Sequence, residues 1–328
     1  MHLGVFVQDN LNGSDMIKRA QNRIAESRWT LSFTAAYSVV LCVVLGVLSQ
    51  QLWVQTLLLA AAALLMVELN NSNSLIRIYS RMVSCSFLVM TLMATFMFNS
   101  IPVGIVQLSF VGFYLTIFRA YQDQSATGWV FYAFFAIGLA SVVFGKILFF
   151  LPVLWVLLAT NVLAFSARTF FASILGIVAP YWFVGAYYIY TNNLQSLWTH
   201  FLGIAQFEPL FNLSVLNPPR IITLVFVLVL ALLGSIHFLV YSYQDKIRTR
   251  MLYEMFITLD ACCFVFIFLQ PRQFDSLLSM AIVTTSPLIG HFLALTHSRL
   301  SNIVFFVILF SALAITAYNL WTLLPIFS

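Results

Sequence analysis

Charge is what this sequence has least of. Of its 328 residues only 8% are Asp, Glu, Lys or Arg, and 62% are hydrophobic. A soluble globular chain carries about 25% charged residues, so too little polar surface exists here to face water. That excludes an ordinary soluble domain and makes lipid the main solvent. Cysteine is sparse too. Cys42, Cys85, Cys262 and Cys263 all fall inside apolar runs, where small packing residues are the simpler reading than a disulfide framework or a metal site. Only two histidines, His237 and His291, sit within apolar runs. They lie in different runs, both toward the inner side, and a haem- or quinone-dependent machine would want such residues in pairs. Zincin pairs, phosphate-binding glycine loops, nucleophile elbows and cysteine-ligand arrays are all lacking. These absences disfavour a conventional hydrolase, ATPase or redox enzyme, and no metal or cofactor is expected.

Acidic residues are scarcer than basic ones, ten against fifteen, giving a pI near 9.1. In a soluble protein such an excess would suggest nucleic acid. No basic strip interleaved with aromatics is present, so nucleic-acid binding is not expected. Placement explains the excess instead. Between the apolar runs, one set of alternate loops holds Lys18, Arg19, Arg23, Arg28, Arg77, Arg81, Arg119, Arg168, Lys246, Arg248, Arg250 and Arg299. The intervening loops hold only Lys146, Arg220 and Arg272. Polytopic membrane proteins keep their positive loops in the cytoplasm.

The runs predict an all-α, polytopic transmembrane helical bundle of about eleven spans, near 30–49, 52–68, 82–98, 102–118, 129–144, 147–165, 170–190, 221–242, 251–269, 274–295 and 302–325. In hydrocarbon a backbone must satisfy its own polar groups, and at about 20 residues per span helices do so. An odd count puts the N-terminus inside and the C-terminus outside, in a multi-pass bacterial inner-membrane protein. Residues 30–328 then form one transmembrane domain. Residues 1–29 form a polar cytoplasmic segment without a cleavable signal. Within it Ser14 can cap a short helix whose Met16, Ile17, Ala20 and Ile24 share a face suited to lying on the leaflet; a solvated tail is the alternative. Within 129–165 a tight outer turn at Gly145-Lys146 is expected, with Lys146 snorkelling to the interface. The 82–118 run divides at Asn99-Ser100-Ile101-Pro102, because proline cannot continue a helical ladder.

Asp260 is the first candidate functional residue. It lies about 13 Å into its span at 1.5 Å per residue, and an intramembrane carboxylate is a functional-site hypothesis by default. Folding 221–242 back on 251–269 brings it level with Gly234, which permits close approach, and Ser235, which offers a hydroxyl. A bonded, protonated acid across a helix pair is the structural alternative. The same fold sets Glu254 beside His237, a possible titrating pair. Arg77, Arg81, Arg119 and Arg168 lie in inner loops, where guanidinium groups can clamp an anionic-lipid or polyprenyl-phosphate headgroup, although orientation alone also explains them. On the outer side the one long loop, 191–220, carries an amphipathic run with Leu194, Leu197, Trp198, Phe201 and Leu202 on one face. His200, Glu208 and Arg220 there are candidates for acid–base chemistry or sugar binding, a passive amphipathic cover being the simpler reading of the loop. Arg272 and Asp275, three apart, are expected to pair.

The chain resembles a family of multi-pass inner-membrane proteins found in the Bacteroidetes group. The likeness rests on Leu69-Asn70-Asn71, on Phe134-Phe135-Ala136-Ile137-Gly138-Leu139-Ala140-Ser141, and on Arg168-Thr169-Phe170 through Gly176 to Pro180-Tyr181, within roughly residues 65–190. The resemblance implies a bacterial inner membrane and brings no activity with it. The phenylalanine-rich 129–165 hairpin is also distantly similar to a region of exopolysaccharide polymerases, many of which have a histidine where this chain has Gly145 and Lys146. Multi-span lipid-sugar glycosyltransferases carry acids in a large first outer loop; here that loop is Gln50-Gln51. Three functions are compatible with these features: handling of a lipid-linked glycan or lipid of the envelope, transport through an intramembrane carboxylate, or a non-catalytic scaffold with membrane-protein partners.

Overall fold

Apolar runs that leave water must close their own backbone hydrogen bonds, and each of the eleven runs does so by containing a helix. The structure, a computed structural model, describes residues 19–207 and 209–323, which hold helices and no strand. The helices are α1 (Ala20–Glu26), α2 (Thr30–Val44), α3 (Trp53–Asn73), α4 (Met82–Met93), α5 (Ile101–Ile117), α6 (Thr127–Val143), α7 (Leu151–Thr160), α8 (Ala167–Tyr190), α9 (Leu194–Ala205), α10 (Pro218–Tyr241), α11 (Ile247–Leu269), α12 (Phe274–Leu295) and α13 (Arg299–Leu323). Among the described residues seven helices are long and apolar enough to cross a membrane: α3, α5 with its following turn, α8, and α10 to α13 with their flanking turns. A lipid bilayer is the environment that such helices suit. The other four apolar runs hold shorter helices. The longest of these, α6, has 17 residues, about 26 Å at 1.5 Å per residue against a hydrocarbon core of about 30 Å.

The short helices have local causes. Helix α4 stops at Met93 and runs into a 3-10 turn, Thr95–Met97, while Pro102 sits in the first turn of α5, where its missing N–H is harmless. Between α6 and α7 lies the 3-10 stretch Gly145–Phe150, not a tight turn at residues 145–146. Lys146 does not snorkel. It is 7% exposed, with its ammonium 6.0 Å from the Phe207 ring.

Helix α12 is the axis of the bundle, buried without interruption from Leu277 to His291. Glycines on two of its faces set the approach of neighbours. A Cβ on Gly234 of α10 would lie 2.7 Å from the Leu288 carbonyl carbon, and one on Gly290 would lie 3.0 Å from the Val83 nitrogen of α4. Helices α6 and α8 interlock in the same way: a Cβ on Gly176 would sit 2.5 Å from the Phe131 carbonyl oxygen, and one on Gly138 would sit 2.7 Å from that of Ile177. The break after α4 is closed by α13, whose buried Asn319 amide donates to the Met93 carbonyl (2.7 Å) and to Thr223 Oγ1 of α10 (3.0 Å).

Helix α1 does not present its expected face. It bends 85° from α2 and packs on α12 and α13 through Gln21, Asn22 and Ala25. Gln21 Nε2 donates to the Leu293 carbonyl and Asn22 Nδ2 to that of Thr296, satisfying carbonyls that the end of α12 leaves open. The polar side chains thus turn inward, while Ala20 is exposed. Ser14, Met16, Ile17 and Lys18 lie outside the described residues.

The arginine-bearing turns meet at one end of the bundle. Arg248 donates to Asn73 Oδ1 (2.9 Å) and the Phe118 carbonyl (3.2 Å), Arg77 to Gln244 Oε1 (2.7 Å), and Asn161 to the Met251 carbonyl (3.3 Å). Nearby, Asp123 accepts from the backbone and hydroxyl of Ser125, which holds its carboxyl below the usual carboxylate range.

Candidate functional site

Helix α13 packs mainly against α1, α4 and α10 and far less on α12. The space left between α12 and α13 opens into two neighbouring cavities. The larger, about 600 Å³, runs between Ile289 and Leu293 on one side and Ile308 and Ala312 on the other, with α2 and α4 closing it. Its walls are mostly apolar; Thr34 of α2 and Ser86 of α4 are polar lining residues, and Arg23, Ser27 and Thr30 form the lip at the arginine-bearing end. Phe226 and Leu230 of α10 line this cleft, and Leu233 and His237, further along the same helix, line the second cavity.

The second cavity, about 560 Å³, has a more polar lining than the first. It brings together His237 and His291, whose ring centroids lie 5.7 Å apart, with Asp245, Arg77 and His297. His291 Nε2 meets Asp245 Oδ2 at 3.0 Å, with side chains only 2% and 4% exposed. The imidazole of His291 is fixed by the rings of Phe238 (5.2 Å) and Tyr253 (5.1 Å). Such a carboxylate-held imidazole has a defined orientation and, when neutral, a defined tautomer. His297 is held from the other side, its Nδ1 facing the Asn22 amide.

Asp260 belongs to neither cavity lining. It is 3% exposed, and its Oδ1 accepts from Thr284 Oγ1 at 2.5 Å and Thr285 Oγ1 at 3.1 Å. Its partners come from α12, not from Ser235 of α10, because α12 packs closely against both α10 and α11. Gly234 does allow a close approach, but to α12. The expected Glu254–His237 pair is absent: Glu254 Oε2 accepts from Asn161 Nδ2 at 3.1 Å, while His237 stacks near Tyr241 and Phe292. The arrangement around Asp260 is that of a bonded polar contact across a helix pair.

The outer-loop candidates are drawn to different helices. His200 Nε2 lies 3.4 Å from the Tyr181 hydroxyl of α8. Arg220 makes a two-point contact with Asp275, at 3.0 and 2.9 Å, above the Phe96 ring. Asp275 therefore pairs across helices with Arg220 instead of with Arg272, three residues away. Glu208 lies outside the described residues. Of the four inner arginines only Arg77 lines either large cavity. Arg81 donates to Asn71 Oδ1 (3.1 Å), Arg119 stacks 4.8 Å from the Trp129 ring, and Arg168 is exposed beside the capping box that starts α8.

Asp245 and His297 were not singled out from the sequence. Each stands in a short polar turn among residues that topology already explains, and the separation of 46 positions between Asp245 and His291 carries no local signal of their pairing. The signal that was present is the scarcity of histidine inside apolar runs. No family model matches the chain, and no curated protein or solved structure shows significant similarity to it.

Proposed function

We propose that this is a multi-pass protein of the bacterial inner membrane that binds an amphiphilic lipid of the cell envelope in the cleft between α12 and α13. On this reading the eleven apolar segments all lie across or within the membrane, the N-terminus is inside and the C-terminus outside. The arginine-bearing end is then cytoplasmic. The observation that carries the reading is the graded cleft: about 600 Å³, apolar along α10, α12 and α13, with Arg23, Ser27 and Thr30 at its lip. That gradient matches a molecule with hydrocarbon at one end and an anionic group at the other, such as a polyprenyl phosphate or an acidic phospholipid, and the volume is in the range of ligand sites. Asp260, bonded to two threonines and set apart from both cavities, gives no comparable support to ion-coupled transport.

Native mass spectrometry of the detergent-purified protein tests this. Wild type is expected to retain a defined lipid, and Ala312→Trp and Ile308→Trp, which fill the cleft, are expected to lose it while melting normally. Retention of the same lipid by both folded variants would refute the reading.

A further inference from the structure

The two sides of the cleft differ in what they offer a ligand. The side formed by α10, α12 and α13 is hydrocarbon throughout, with Phe226, Leu230, Ile289 and Ile308 among its members. The side formed by α1, α2, the turn between them and α4 carries Arg23, Ser27, Thr30, Thr34 and Ser86. Two of these hydroxyls are already spent as donors. Thr30 Oγ1 donates to the Ile24 carbonyl, and Thr34 Oγ1 donates to the Thr30 carbonyl at 2.8 Å. Ser27 Oγ accepts from the Trp29 N–H at 3.2 Å, which leaves its own proton unused. Arg23 is exposed, and its guanidinium has no ion pair among the described residues.

Ser86 supplies the independent observation. A serine within a helix commonly returns its hydroxyl to the carbonyl a turn earlier, as Ser38 does to that of Thr34 at 2.8 Å. Ser86 does not: its hydroxyl has no hydrogen-bond partner among the described residues, and its side chain lines the cleft. It stands one turn past Met82, the first residue of α4, or about 6 Å along the helix at 1.5 Å per residue. A hydroxyl left against hydrocarbon without a partner costs free energy. The donors still free on this side are therefore Arg23 and Ser27 at the lip and Ser86 deeper in, and all three call for acceptors.

We infer that the lipid of the cleft is an ester-linked acidic glycerophospholipid, with Arg23 and Ser27 on its phosphate and Ser86 donating to an ester carbonyl. This rests on the lipid reading of the cleft and narrows it. A polyprenyl phosphate and an acidic phospholipid both have an anionic head, and they part just below it. The polyprenyl chain is hydrocarbon from its first carbon and would leave the Ser86 hydroxyl unmatched. A glycerophospholipid places two carbonyl acceptors within a few bonds of its phosphate, before its acyl chains begin. Free donors at two depths on one side, with hydrocarbon opposite, match the second pattern. The acyl chains then lie along α10, α12 and α13.

Native mass spectrometry of the detergent-purified full chain, offered dioleoyl phosphatidylglycerol, its diether analogue and undecaprenyl phosphate in equal amounts, tests this. Wild type is expected to retain the diester over the diether by about threefold to tenfold, the worth of one neutral hydrogen bond, and to prefer it to undecaprenyl phosphate. Ser86→Ala should melt normally and retain diester and diether equally. Arg23→Gln should weaken all three lipids alike. Equal retention of diester and diether by wild type, an unchanged preference in a normally melting Ser86→Ala protein, or a preference for undecaprenyl phosphate would overturn the inference while leaving the cleft a lipid site. If Ser86→Ala melts early, the wild-type comparison of diester with diether decides by itself. Retention of none of the three lipids, or retention that Ala312→Trp does not reduce, would instead remove the lipid reading and this inference with it.

Discussion

Asp260 shows how a costly residue becomes an ordinary one when its surroundings are built for it. A carboxyl group deep in a helix bundle is tolerated when hydroxyl donors meet it, and Thr284 and Thr285 do so from α12. Asparagine retains an acceptor oxygen of nearly the same shape, and polar contacts between membrane helices average about 0.6 kcal/mol. Asp260→Asn should therefore fold with a change of less than about 1 kcal/mol, whereas Asp260→Ala removes both contacts and opens a void, costing about 2 kcal/mol. Chemical denaturation in mixed micelles distinguishes the two; a collapse of the asparagine variant would show that the carboxyl group itself is needed. Depth along the span was legible in the sequence. The identity of the partners was not, because threonine in an apolar run carries no mark of the face it presents, and the hairpin 221–269 suggested α10 where α12 in fact intervenes.

At the scale of elements, helix contacts follow the glycines. Lipid tails are as apolar as leucine, so close backbone approach is a main source of helix association in membranes. Gly176 and Gly138 face each other's helices across α6 and α8, with no room for a Cβ beside the Phe131 and Ile177 carbonyls. Gly176→Val or Gly138→Val should destabilise the fold by about 2 kcal/mol or more through forced separation. Gly128 and Gly185 meet nothing within 4 Å, and alanine there should be neutral or slightly stabilising. Thermal unfolding of the four variants makes the comparison, and equal effects would remove the argument. These two helices carry two of the three segments on which the family resemblance rests. The third contains Asn70, whose side chain donates to the Ser80 carbonyl and accepts from the Ile76 N–H. All three segments are accounted for by packing and loop closure.

For the whole molecule, the apolar runs located every long helix, because burying a backbone in lipid leaves one secondary structure available. Span count is harder to read, since hydrophobicity reports solvent and not length: α4, α6 and α7 are apolar yet short. The outer candidates His200 and Arg220 were grouped by a shared loop, and a loop of thirty residues does not hold its members together. The proposed orientation has a direct check. In intact cells an impermeant thiol reagent should label Asn212→Cys and spare Ser125→Cys, both exposed positions; the reverse pattern would invert the topology.

The Asn319 amide, which reaches the Met93 carbonyl and Thr223, places a constraint on biogenesis. Met93 and Thr223 emerge from the ribosome well before residue 319, so the carbonyl at the broken end of α4 waits for a donor from the last described helix. Until α13 arrives, the flank of α12 that later borders the cleft stands open to surrounding lipid. A lipid can therefore occupy that flank laterally during assembly, before the docking of α13 completes the cleft around it.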